Sequence, residues 1–125
     1  MKTLSLAACC ITLHAAQFAL PVSARTPDAT ALTLEQRTSL RCSAAFAIIA
    51  DRQAKGNPQA LEYPALAERG REFFVRSSAR LMDDTGMDRT RISALIQSEA
   101  LNLSEQGMIT PIMPSCLLLL EASGI

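Results

Sequence analysis

Thr33-Leu34-Glu35-Gln36-Arg37-Thr38-Ser39-Leu40-Arg41-Cys42-Ser43-Ala44-Ala45-Phe46-Ala47-Ile48-Ile49-Ala50-Asp51-Arg52-Gln53-Ala54-Lys55 is the stretch whose reading decides the fold. Thr33 followed three residues later by Gln36 has the form of a capping box, in which two backbone N–H groups at a helix start are satisfied reciprocally. A helix over 34–55 is therefore expected, ended by Gly56-Asn57-Pro58 because glycine accepts the left-handed turn and proline cannot continue the ladder. At 100° per residue, Leu34, Cys42, Ala45, Phe46, Ile48 and Ile49 fall on one broad side. Ser39, Ser43, Ala47, Ala50 and Ala54 form a stripe of small residues on the other. A helix that is apolar on one side and small on the other can pack neighbours on both, so this one is expected to be central. The competing reading leaves the alanines facing water as good helix formers.

Toward the C-terminus, residues 57–63 read as a linker or a single helical turn. Pro64 suits the first position of a second helix over 64–83. Its buried face would carry Leu66, Gly70, Phe73, Phe74, Ser77 and Leu81, with Gly70 allowing close backbone approach. Its outer face would carry Glu68, Glu72, Arg76, Arg80 and Asp84 at four-residue steps. Asp83-Asp84-Thr85-Gly86 reads as a turn, and Asp88 as the N-cap of a third helix over 89–106 closed by Gly107. Thr110-Pro111 could start a fourth segment, with Pro114 delaying regular helix until Ser115. Leu117 to Leu120, apolar all round, predicts burial of that helix. The fold class expected is all-α: a small four-helix bundle-like domain over 34–125.

Toward the N-terminus, Met1-Lys2 is followed by an uncharged run from Thr3 to Leu20 and then Pro21-Val22-Ser23-Ala24. A positive start, an apolar stretch and small residues at the −3 and −1 positions form the pattern of a cleaved export signal. Residues 1–24 are read as that signal, cut before Arg25, and 25–33 as a flexible leader. The expected location is periplasmic or secreted, with no stable membrane anchor after cleavage; the alternative is a protein anchored through an uncleaved N-terminal segment. A lipoprotein-like Leu6-Ala7-Ala8-Cys9 is also present, but only eight residues precede its cysteine.

Cleavage would remove the only histidine, His14, and two of the four cysteines, Cys9 and Cys10. The two that stay, Cys42 and Cys116, are an even pair in an exported chain and are expected to form a disulfide joining the first helix to the last. Separate buried thiols are the alternative. Without histidine no Ser-His-Asp or Cys-His pair can form. No Gly-rich phosphate loop is present, and the acidic run Asp83-Asp84-Thr85-Gly86-Met87-Asp88 lacks the ligand spacing of an EF-hand. No catalytic residue, cofactor or metal site is assigned. Of the 12 basic and 12 acidic residues Lys2 is the only charge within 1–24, which leaves no global field for nucleic acid or an anionic membrane. Arg69, Arg71, Arg76, Arg80, Arg89 and Arg91 suit carboxylate or phosphate recognition. The interleaved Glu68, Glu72, Asp83, Asp84 and Asp88 favour a solvated ion-pair surface instead.

One polar constellation falls on core-facing positions. Glu99 projects between Ile92, Leu95, Ile96 and Leu103, and Arg41 and Arg52 project beside Leu34, Ala45 and Ile48. A buried ion pair among Arg41, Arg52 and Glu99, serving specificity or a functional cleft, is one reading; Glu99 at a solvated helix boundary or in a merely structural pair is the other, and the favoured one.

Leu40-Arg41-Cys42-Ser43-Ala44-Ala45-Phe46, Glu68-Arg69-Gly70-Arg71-Glu72-Phe73-Phe74-Val75-Arg76 and Met113-Pro114-Ser115-Cys116-Leu117 resemble short exported helical proteins of Gram-negative bacteria, a group without an assigned activity. The resemblance spans most of residues 34–122, and implies packing rather than catalytic residues. A looser, architectural likeness is to small helical periplasmic acid-stress chaperones that carry one disulfide; fold alone does not imply function. The function expected is non-enzymatic: an envelope accessory, stress or inhibitor factor that binds an unidentified protein partner. The alternatives are a carrier of a small hydrophobic ligand and a carboxylate-dependent enzyme subunit built on Glu99.

Overall fold

The structure, a computed structural model, describes residues 32–125. The proposed signal and the leader up to Ala31 lie outside the described residues. Five helices follow one another: α1 (Leu34–Ala54), α2 (Pro58–Leu61), α3 (Arg69–Thr85), α4 (Arg89–Glu105) and α5 (Ile109–Ala122), with no strand among the described residues. None of these helices is long and apolar enough to cross a membrane.

The capping box at the start of α1 is formed. The Thr33 hydroxyl accepts from the Gln36 N–H at 3.1 Å, and the Gln36 Oε1 accepts from the Thr33 N–H at 2.9 Å. Five consecutive residues, Cys42 to Phe46, are each no more than 1% exposed. Burial over that many successive positions covers every side of a helix, and α1 indeed packs against α2, α3, α4 and α5. Small residues make this possible, because Ser43, Ala44 and Ala45 let neighbours approach closely. The ends of α1 depart from the expected faces. Leu34 is 75% exposed, and Ala47 and Ala54 face solvent. The helix is wrapped only around its middle. Leu32, expected in a flexible leader, is instead buried in the core, 5% exposed.

The second long helix begins at Arg69, not Pro64. The cause is Gln53 near the end of α1. Its Nε2 faces the carbonyl oxygens of Ala60, Tyr63 and Pro64 at 3.0, 3.2 and 2.9 Å, and its Oε1 accepts from the Leu66 N–H at 3.1 Å. These bonds hold 62–66, after α2, as a loop whose Leu66 is fully buried. Gly86, at φ 70°, ends α3, and the Asp88 carboxylate then accepts from the Arg91 N–H to start α4.

The last helix starts at Ile109 and runs through Pro114 rather than waiting for Ser115. Pro111 stands in the first turn, where the missing N–H has no intrahelical partner to lose. Pro114 forfeits one helical bond. Ile109, Met113, Cys116 and Leu120 recur at steps of four, three and four residues and are all at most 4% exposed. Burying each such side chain stabilises by about 1.5–3 kcal/mol, which outweighs one missing bond. The apolar run is not buried all round, however, since Leu118 is 72% exposed. Among the described elements, α5 packs chiefly on α1 and α3, so its far side meets water.

Candidate functional site

α1 and α3 meet backbone-close at Gly70. A Cβ there would stand 3.0 Å from the Phe46 Cβ, so only glycine fits without displacement. Beside this contact the Phe46 and Phe73 rings pack edge to face, with centroids 5.3 Å apart and planes at 84°, the arrangement that aromatic quadrupoles prefer.

Nearer the start of α1 and the end of α3, the two helices border a groove of about 500 Å³. That volume lies within the range of small-molecule sites. Phe73 and Leu81 of α3, Leu40 of α1, Ile92 and Ile96 of α4 and Leu119 of α5 form its apolar lining. Hydroxyls are set into the same surface: Ser39 and Ser43 from α1, Ser77 and Ser78 from α3, and Ser123 beyond α5. Ser43 is 1% exposed, and its hydroxyl donates to the Ser39 carbonyl at 2.8 Å. The Ser78 Oγ is buried and has no hydrogen-bond partner. Glu35 and Asp84 oppose Arg76 and Arg80 on the rim, two charges of each sign. Arg76 is held by Glu72 at 2.7 Å, and Arg80 stands 3.8 Å from Asp84.

The two cysteines stand near groove-lining residues in sequence, Cys42 beside Ser43 and Cys116 three residues before Leu119. Cys42 and Cys116 are joined by a disulfide with a Cα–Cα separation of 5.2 Å, and are 1% and 2% exposed. The bond ties α5, which supplies Leu119 and Ala122 to the groove wall, to the middle of α1. Arg69 makes a second tie to the same end of α5. Its Nη2 donates to Glu121 Oε1 and to the Ile125 main-chain oxygen, each at 2.7 Å, and its Nε donates to that oxygen at 3.0 Å.

The residues weighed as a buried ionic cluster are only partly brought together. The Arg41 Nε donates to Glu99 Oε1 at 2.6 Å, but the side chains keep 43% and 21% exposure. They border a second recess of about 410 Å³ shared with Leu32, Arg37 and Leu95. The pair is half-buried although Arg41 directly precedes the wrapped segment 42–46. Arg52 is no part of it. Eleven residues along α1 from Arg41, it is displaced by roughly 16 Å. There, in the last turn of α1, its charge favours the negative helix end.

The acidic run does not turn at Asp83 as expected: Asp83, Asp84 and Thr85 are the last residues of α3, Gly86 ends it and Asp88 caps α4, and the described residues hold no group of three His, Cys, Asp or Glu side chains placed for a metal ion. The groove was not foreseen from sequence. Its lining comes from four helices whose relative placement no single periodicity encodes, and its serines look like ordinary helix surface. No family model, no curated protein and no solved structure matches the chain.

Proposed function

We propose that this is an exported protein that works by non-covalent binding, and that its four long helices act as a bundle-like scaffold for a carrier of a small apolar ligand. One observation carries this reading: the groove of about 500 Å³ between α1 and α3, floored by Phe73, Leu81, Ile92 and Ile96. Small-molecule sites combine an apolar lining with convergent polar groups; this groove does so with a larger polar share, since eleven of its nineteen lining residues are polar or charged. On sequence grounds the carrier is one of two alternatives to protein binding, and this groove supports it. Ala122 is exposed and stands on the groove wall, so Ala122→Trp fills the cleft without entering the core. An apolar fluorescent probe is expected to bind the parent protein and to lose at least about tenfold in affinity to Ala122→Trp, about 1.4 kcal/mol, at unchanged melting temperature. Equal binding by both would remove the groove as the site. Export itself is checked by mass spectrometry of periplasmic protein, where a chain beginning at Arg25 is expected.

Binding of a partner protein is supported by a different surface. The outer side of α5 presents Pro111, Pro114 and Leu118 to solvent, with Leu118 72% exposed, and contiguous exposed apolar surface is a common mark of an interface. Leu118→Asp would abolish co-purification of such a partner while leaving probe binding intact. The Glu99 enzyme reading is supported least, because the carboxylate is engaged by Arg41 at 2.6 Å.

A further inference from the structure

We propose that the recess between α1 and α4 is a second binding site, and that it takes a small monoanionic carboxylate carrying an apolar chain. The assignment is independent of the groove between α1 and α3 and of what that groove binds.

The first observation is the register of the lining. Leu34, Arg37, Thr38 and Arg41 of α1 border the recess, and their i, i+3, i+4, i+7 spacing is one face of a helix. Leu95, Ser98, Glu99 and Asn102 of α4 border it at the same spacing. Two helical faces therefore meet here over two turns, where packed helices normally interdigitate their side chains. Three of the four positions on each face are polar, and about 410 Å³ of space stays open between them.

The second observation is charge. Arg37 and Arg41 stand one turn apart on the same face, where like charges repel. Glu99 is the only carboxylate lining the recess, and it is committed to Arg41, whose Nε donates to Oε1 at 2.6 Å. Arg37 is exposed, and its guanidinium meets no partner among the described residues. The lining thus carries two cations and one anion, a surplus of one positive charge. A guanidinium fork matches a carboxylate through two parallel bonds. The Ser98 hydroxyl and the Asn102 amide on the facing helix add neutral donors. A single surplus charge suits a monoanion; a phosphate dianion would bring a second negative charge, unmatched, toward Glu99.

The third observation is the apolar surface beside the arginines. Leu34 is 75% exposed, the most open large apolar side chain among the described residues, although it lines the recess. Leu95 on the facing helix is half-buried. A chain attached to the carboxylate would cover both. Removing that area from water supplies affinity that an exposed ion pair alone lacks.

The experiment is isothermal titration of the purified protein at neutral pH and low salt with octanoate, methyl octanoate, octyl phosphate and acetate. Octanoate is expected to bind at least about tenfold more tightly than each of the other three, and to weaken as salt is added. Arg37→Gln should weaken octanoate about tenfold at unchanged melting temperature, because the side chain is exposed and holds nothing else. Glu99→Gln keeps an acceptor for the Arg41 Nε and removes the negative charge, so it should tighten octanoate; a pair that is merely structural would show no such gain. Ala122→Trp, which fills the other groove, should leave octanoate affinity unchanged. The proposal is overturned if octanoate does not bind, if its methyl ester binds as well, or if Arg37→Gln has no effect. Loss of octanoate binding in Ala122→Trp would overturn it too, by placing the anion in the other groove. The carrier reading is judged separately, by the apolar probe.

Discussion

Gly70 is subject to two opposing pressures. Alanine is favoured over glycine by about 1 kcal/mol in a helix interior and by less at Gly70, the second residue of α3, so Gly70→Ala would stabilise an isolated α3 only slightly. In the folded protein the new Cβ meets the Phe46 Cβ at 3.0 Å, and Phe46 is fully buried with no room to retreat. Overpacking of a tight contact costs about 1–3 kcal/mol, so a net loss of up to about 2 kcal/mol is expected in urea denaturation. A gain in stability would show that the two helices separate easily there. Gly70 could be read from the sequence because a glycine amid Leu66, Phe73 and Phe74 has no other purpose on a buried face. Gln53 could not. A neutral amide near a helix end gives no periodic signal, yet it meets three carbonyls and one N–H of 60–66. Gln53→Ala is expected to cost about 1–3 kcal/mol through those orphaned groups, and to open the loop to limited proteolysis before the helices melt.

At the scale of elements, the helix starts that rest on local chemistry were legible and those that rest on distant contacts were not. Thr33-x-x-Gln36 and Asp88 name their own caps, and both caps are formed. Thr33→Ala is expected to destabilise by about 1 kcal/mol, seen as a lower urea midpoint with unchanged slope; no change would mean that α1 is fixed by packing alone. The starts of α3 and α5 were misplaced for two different reasons. Pro64 suits a helix start, but the carbonyls around it are claimed by Gln53, thirteen residues before Leu66. Pro114 argues against helix locally, but the buried stripe Ile109, Met113, Cys116 and Leu120 favours helix more strongly. Both cases are tertiary contacts overriding a local preference, which a single sequence cannot weigh.

At the scale of the molecule, the disulfide decides how α5 belongs to the rest. The helix has one stripe of buried side chains, an exposed outer side at Leu118 and contacts mainly with α1 and α3. Two fastenings hold it: Cys116 on Cys42, and Arg69 on Glu121 and Ile125. The salt bridge is the weaker of the two, since Glu121 is 66% exposed and exposed pairs contribute little. The bond closes a span of 74 residues, for which chain entropy alone predicts up to about 4.5 kcal/mol of stabilisation. The cysteine pair was legible because Cys42 and Cys116 are the only two cysteines beyond the expected export signal. The groove beside it was not, because Leu119 and Ala122 reach its wall only when that bond and the packing around it set the angle of α5. The same geometry ties stability to binding. Cys42→Ala with Cys116→Ala is expected to lose about 2–4 kcal/mol in urea, using alanine so that no new polar group enters the core. Amide exchange in α5 should then rise ahead of exchange in α1, as local opening precedes global unfolding. Affinity for the apolar probe should fall in parallel, because one wall of the groove is no longer pinned. Loss of stability with unchanged probe affinity would show instead that Arg69 and the buried stripe of α5 hold the wall in place, and that the disulfide fastens the fold without shaping the site.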